Sequence, residues 1–130
     1  MTEDIIVVTI PSIPGYRITK IMGPISGLTV RTRGVGGKIV AGIEGLFGGE
    51  VTSYSEECER ARKESLERLV EVAGKVGANA ILSTDFETTD ILQGSATVFS
   101  AFGTAVYLES IQGSEPVAFE ALYKQDFKPK

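Results

Sequence analysis

The stretch SYSEECERARKESLERLVEVAGKVG, residues 53–77, decides the fold. Cys58, Ala61, Ser65, Leu69, Val72 and Val76 recur in steps of three and four, so they share one side of a helix. Leu66, Val70 and Ala73 widen that stripe, while Glu56, Glu57, Glu59, Arg60, Arg62, Lys63, Glu64, Glu67 and Arg68 form the wet side. Ser53 followed three residues on by Glu56 predicts a capping box, and Gly77 supplies a stop. A helix from about 54 to 76 spans ~35 Å at 1.5 Å per residue, long enough to lie across a small sheet.

Downstream of it, Ala80 to Ile91 and Ser95 to Glu109 read as two strands joined around Gln93-Gly94 as a hairpin. In the second strand Ala96, Val98, Phe102, Val106 and Leu108 project one way, and Phe99, Ala101, Gly103, Ala105 and Tyr107 the other. One of these faces can pack on the long helix. The opposite face is too apolar for plain solvent surface, which predicts a second covering layer. One helix cannot cover both faces; a partner chain can. Beyond Ser110 the pattern weakens, with Gly113 to Pro116 as a linker, a short amphipathic element over Val117 to Tyr123 and a frayed end from Lys124. Residues 1–110 are therefore expected to form one domain, with 111–130 as a tail.

Upstream, the β-branched run Ile5, Ile6, Val7, Val8 and Ile10 predicts a strand covered on both faces and not a free edge. Tyr16 to Met22 predicts a second strand that bends at Gly23-Pro24 and resumes over Ile25 to Val30, since proline cannot donate to a central ladder. Between Arg31 and Gly49, a run rich in glycine, Ile39, Val40, Ile43, Leu46 and Phe47 fall on one side of a short helix. Its interior glycines cost roughly 1 kcal/mol each relative to alanine, so this helix must be held by packing. A contact with another subunit through its glycine side is the more specific reading.

The chain has 130 residues, is 42% hydrophobic and 23% charged, and carries a formal net charge of −4. That is a soluble globular domain able to bury one core, and wholesale disorder is excluded. The negative balance argues against nucleic acid as partner, because phosphate binding needs clustered cation. No apolar run approaches the ~18 residues of a membrane span, and no secretory signal is read at the start, so no membrane partner is expected. One cysteine cannot form an internal disulfide, which fits a reducing cytoplasm. Zero histidines remove the commonest general base and a major metal ligand.

Several short words mark this core, each occurring once: Gly45-Leu-Phe-Gly-Gly49 before Tyr54 and the charged helix, Gly77-Ala-Asn-Ala80 opening the hairpin, Asp85-Phe-Glu-Thr88 in its first strand and Gly103-Thr-Ala-Val106 in its second. In this order and spacing they resemble the YbjQ-like family over about residues 15 to 109. The resemblance implies an α+β subunit of dodecin-like arrangement, with a small antiparallel or mixed sheet, one long helix and a short glycine-rich one. It further implies a ring, commonly a homopentamer, and a heavy-metal-binding label. Where the family places an arginine and a serine after the paired glycines, Glu50 follows Gly48-Gly49 in this chain.

Candidate chemistry is sparse. Cys58 is the only soft ligand; the positive end of the helix favours its thiolate, while Glu56, Glu57 and Glu59 and the apolar stripe favour the thiol. Packing as a small hydrophobe is the plainer expectation for it. One thiolate without histidine cannot build a zinc site, so a metal would need several copies. Asp85 and Glu87, two apart in a strand, project from one face roughly 7 Å apart and suit a hard cation or an acid–base pair, against the simpler reading as a solvated face. Gly34-Val-Gly-Gly-Lys38 fails the phosphate-loop pattern, since Thr32 and Ile39 occupy two required positions. Arg31, Arg33 and Lys38 remain candidates for a looser anion site, a flexible connection being the alternative. No catalytic residue is assigned. The expected function is a non-enzymatic homo-oligomer binding a soft metal or small anion between subunits. A purely structural assembly without small ligand is the rival, and an enzyme using Asp85 and Glu87 the third reading.

Overall fold

A computed structural model describes residues 4–32, 52–115 and 117–118. The proposed glycine-rich helix, with Arg33 and Lys38, lies outside the described residues, as does the end of the tail. In chain order the elements are β1 (Ile6–Val7), β2 (Tyr16–Thr32), α1 (Thr52–Lys75), β3 (Ala80–Ile91), a 3-10 turn (Leu92–Gly94) and β4 (Ala96–Ser110). The four strands form one mixed sheet in the order β1-β3-β4-β2, with β1 parallel to β3 and the other pairs antiparallel. This is the expected α+β class.

The helix forms where its periodicity places it. Ala61, Ser65, Leu66, Leu69 and Ala73 are buried against the sheet. Gly77, at φ +81°, ends it: Ala78 N–H donates to Ala73 O and Gly77 N–H to Gly74 O, a Schellman closure with Ala73 and Ala78 both in the core. Two corrections apply at its ends. It begins at Thr52, so Ser53 lies inside the first turn and not at a cap. The predicted stripe also fades toward both ends, with Cys58 and Val76 exposed.

Strand β2 runs unbroken through Gly23-Pro24 instead of splitting there. As an edge strand it absorbs the irregularity in register shifts at Ile18/Lys20 and Ile21/Gly23. A third shift, between Leu82 and Asp85 in β3, contains Ser83 at φ +52°. It inserts one extra residue, so Ile81 and Phe86, five apart, both meet the helix-side core.

The N-terminal run is also corrected. It is a short edge strand, although covered on both faces as expected: Ile5 and Val7 pack on the helix-side core, Ile6 and Val8 on a second cluster. That second cluster, built from Ile13, Ala80, Leu82, Val106 and Leu108 with Tyr16 beside it, covers one end of the face away from the helix. The chain's own residues 6–16 therefore supply part of the layer expected from a partner. At the other end of that face Leu28 (49% exposed), Val30 (47%), Ile91 and Phe102 are uncovered among the described residues.

Candidate functional site

Among the described residues, a polar cluster of direct contacts lies between α1 and β2. Gly27 brings the two backbones together, because a Cβ there would overlap Leu69 N and Ser65 O of the helix. Two residues further along β2, Thr29 is buried and its Oγ1 donates to Glu64 Oε1 at 3.0 Å. Arg31 Nη2 donates to Glu64 Oε2 at 2.6 Å, and Arg68 Nη2 lies 2.7 Å from Glu64 Oε1. Arg31 Nε stands 3.1 Å from Glu57 Oε1 but out of line for a hydrogen bond, and Arg60 donates to the other Glu57 oxygen at 2.9 Å. The arrangement ties the middle of the helix to the edge strand.

Burial by itself raises the pKa of Glu64. The Thr29 hydrogen bond and the charges of Arg31 and Arg68 outweigh it and hold the carboxyl below the usual glutamate range. Arg31, proposed for anion binding, is thus committed to two carboxylates of its own chain.

Cys58 sits in the second turn of α1, one residue beyond Glu57, with its thiol exposed. The expectation that it packs in the core is corrected: the buried stripe starts at Ala61 and the thiol lies outside it. Because the helix starts at Thr52, the thiol is also further from the positive end than the sequence implied, and that field fades beyond the first turn.

Asp85 and Glu87 are both exposed. Their register partners on β4 are Phe102 and Ser100, on the face away from the helix, and Asp85 Oδ1 accepts the N–H of Phe86 at 2.8 Å. The fold does not bring them to Cys58, which lies on the helix side. Among the described residues no three Cys, Asp or Glu side chains converge on a metal position. One copy's described residues therefore do not fit a heavy-metal ion.

Two structural side chains escaped the sequence reading. Asn79, inside Gly77-Ala-Asn-Ala80, donates through Nδ2 to Leu108 O at 2.9 Å and accepts Leu108 N–H on Oδ1 at 2.7 Å. Its amide thereby extends the β3 ladder by one place before the strand begins. Arg62, assigned to the wet side, stands 5.2 Å over the Phe86 ring and pins the helix above β3.

A family model with the description "Putative heavy-metal-binding" matches residues 5–109. A UPF0145 protein of the archaeon Methanocella arvoryzae is 46% identical over 118 residues, covering 90% of this chain and 98% of the relative. A UPF0145 protein of Chromobacterium violaceum is 38% identical, covering 85% and 93%. Among solved structures, a DUF74-family protein from Pediococcus pentosaceus superposes with a TM-score of 0.58 at 12% identity, covering 81% of this chain and 98% of that one, which speaks for the fold. The chain belongs to the YbjQ-like family, the UPF0145 proteins.

Proposed function

We propose that this chain is a binding protein and not an enzyme, acting as a homo-oligomer that holds a soft metal ion through Cys58 thiolates contributed by neighbouring copies. The observation that carries this reading is the exposure of the chain's one thiol, on the helix surface and outside the core. A free cysteine is among the most buried residue types, so an exposed one asks for a use. Since one copy's described residues gather no three-ligand cluster, a site made from them draws on several copies. The family description supports metal over anion, and so does Arg31, whose charge is spent on Glu57 and Glu64. Asp85 and Glu87, on an open sheet face, offer no enclosed position for acid–base chemistry.

Titration with Cu(I) or Cd(II), before and after Cys58→Ala, tests it. Uptake at less than one ion per chain that disappears in the variant is the expected result. Negligible uptake by both proteins ends the metal reading and leaves assembly as the function, which the uncovered apolar sheet face would then serve.

A further inference from the structure

Residues 8–15, between β1 and β2, cross the sheet on the face away from the helix. Val8 lies at the β3 edge, and Gly15 lies beside the end of β4, where its carbonyl accepts the N–H of Ile111 at 2.9 Å. The surface beneath is apolar: Ala80, Leu82, Val106 and Leu108. Ile13 is the one buried side chain that the segment sets among them, and Val8 packs at their margin.

The connection is longer than its path. In register, Val7 stands level with Ala105 of β4 through Ile81, and Tyr16 with Ser110. Three strand spacings and five residues along β4 separate them, a direct span of about 22 Å, whereas the nine residue steps from Val7 to Tyr16 reach ~30 Å. The segment is therefore not taut and can lift without drawing either strand out of the sheet. Pro11 and Pro14 have no N–H with which to hold it down.

A latch closes it at the β3 edge. The β4 ladder passes from Leu82 to Asp85 and skips Ser83 and Thr84. Their N–H groups go to the segment instead, Ser83 donating to Ile10 O at 3.1 Å and Thr84 to Val8 O at 3.0 Å. Ser83 holds φ +52°, a left-handed conformation that residues other than glycine adopt at a cost. Gly103 leaves room for it, since a Cβ there would come within 2.6 Å of Ile81 Cγ2 and 3.0 Å of Leu82 O. The extra residue thus yields two donors aimed off the ladder, and both are spent on residues 8 and 10.

We infer that residues 8–15 form a strap that opens as one unit, latched by the bulge at Ser83 and Thr84 and pinned by Ile13, while helix and sheet stay folded. Few buried contacts hold it, which is the condition for a segment to open below the free energy of global unfolding. Lifted, it bares Leu82, Val106 and Leu108; closed, it hides them. The strap thereby sets how much apolar surface the face away from the helix presents, a conformational device that needs neither metal nor a second copy.

Native-state amide hydrogen exchange of the full chain, over a series of low urea concentrations, tests it. Ser83, Thr84 and Ile111 donate from β3 and the end of β4 to acceptors in the strap, so their exchange reports the strap leaving. The expected result is one shared protection for these three amides, about a hundredfold or more below that of Ala101 and Ala105 in the middle of the sheet, and nearly independent of urea because little surface is exposed. Ile13→Ala should speed exchange at the three roughly thirtyfold or more, and Ile13→Val about tenfold at most. Leu69→Ala, which loosens the helix-side core, should speed Ala101 and Ala105 while leaving the three unchanged, because that core stays packed when the strap lifts. If Leu69→Ala fails to fold, the urea dependence of the unmodified protein decides. Protection and urea dependence equal to those of Ala101 and Ala105 overturn the strap, as does a Leu69→Ala effect shared by all five amides. Three unrelated protections overturn the single unit.

Discussion

Gly27 shows how one missing methyl sets the distance between two layers. The helix backbone at Ser65 and Leu69 occupies the space a Cβ would need, and neither partner is a side-chain tip able to swing away. Gly27→Ala is expected to lower the unfolding free energy by roughly 3 kcal/mol, at the upper end of overpacking costs, because strand and helix must part along their whole contact. Urea denaturation measures it; a loss below about 0.5 kcal/mol, the range of neutral surface changes, would mean the backbones do not touch there. Asn79 acts at the same scale and by the opposite means, adding polar atoms where a strand has none. Without its amide, the N–H of buried Leu108 would lose its partner.

The element scale is governed by the clasp between α1 and β2. Glu64 receives Thr29, Arg31 and Arg68 at once, so three side chains from two elements depend on one carboxylate. Its pKa is lowered on folding, meaning the folded state favours the charged form. That contribution is complete above the ordinary glutamate value of about 4.3 and is lost as pH falls through the lower folded value. With the Glu64 side chain 31% exposed, solvent screening limits the effect to about 1 kcal/mol. Thermal melts from pH 7 down to 3 should show Glu64→Gln less stable at neutrality and the gap closing in acid. A gap that stays constant would place the stabilisation in packing and not in charge. The same clasp explains why the glutamate-rich side of the helix is not simply wet: Glu57 and Glu64 face a basic edge strand.

For the whole molecule, the decisive fact is asymmetry. One sheet face carries a helix along its length, and the other is covered at one end by residues 6–16 and uncovered at the other among the described residues. Closing such a face with further copies couples folding to association, so the melting temperature should rise with protein concentration. Melts across a hundredfold dilution series check this; a constant melting temperature with a single-chain mass would assign the open face to solvent. No helix among the described residues is long and apolar enough to cross a membrane.

Periodicity alone determined α1 and the β3–β4 hairpin, since both are local patterns: helical spacing of apolar residues, glycine at a stop, alternation through a strand. The family words were legible for the same reason, being short runs in fixed order. What escaped the sequence depends on contacts between residues far apart in the chain. The extra residue between Leu82 and Asp85 changes which side chains of β3 face the helix, and nothing in the local pattern announces it. Arg31 looked available to an anion until folding set it against Glu57 and Glu64, more than twenty residues away. Cys58 matched the apolar spacing and still emerged outside the packed stripe, because a helix longer than the core it covers leaves its end exposed. Spacing along one chain decides which element forms; only the meeting of elements decides which of its side chains are left for use.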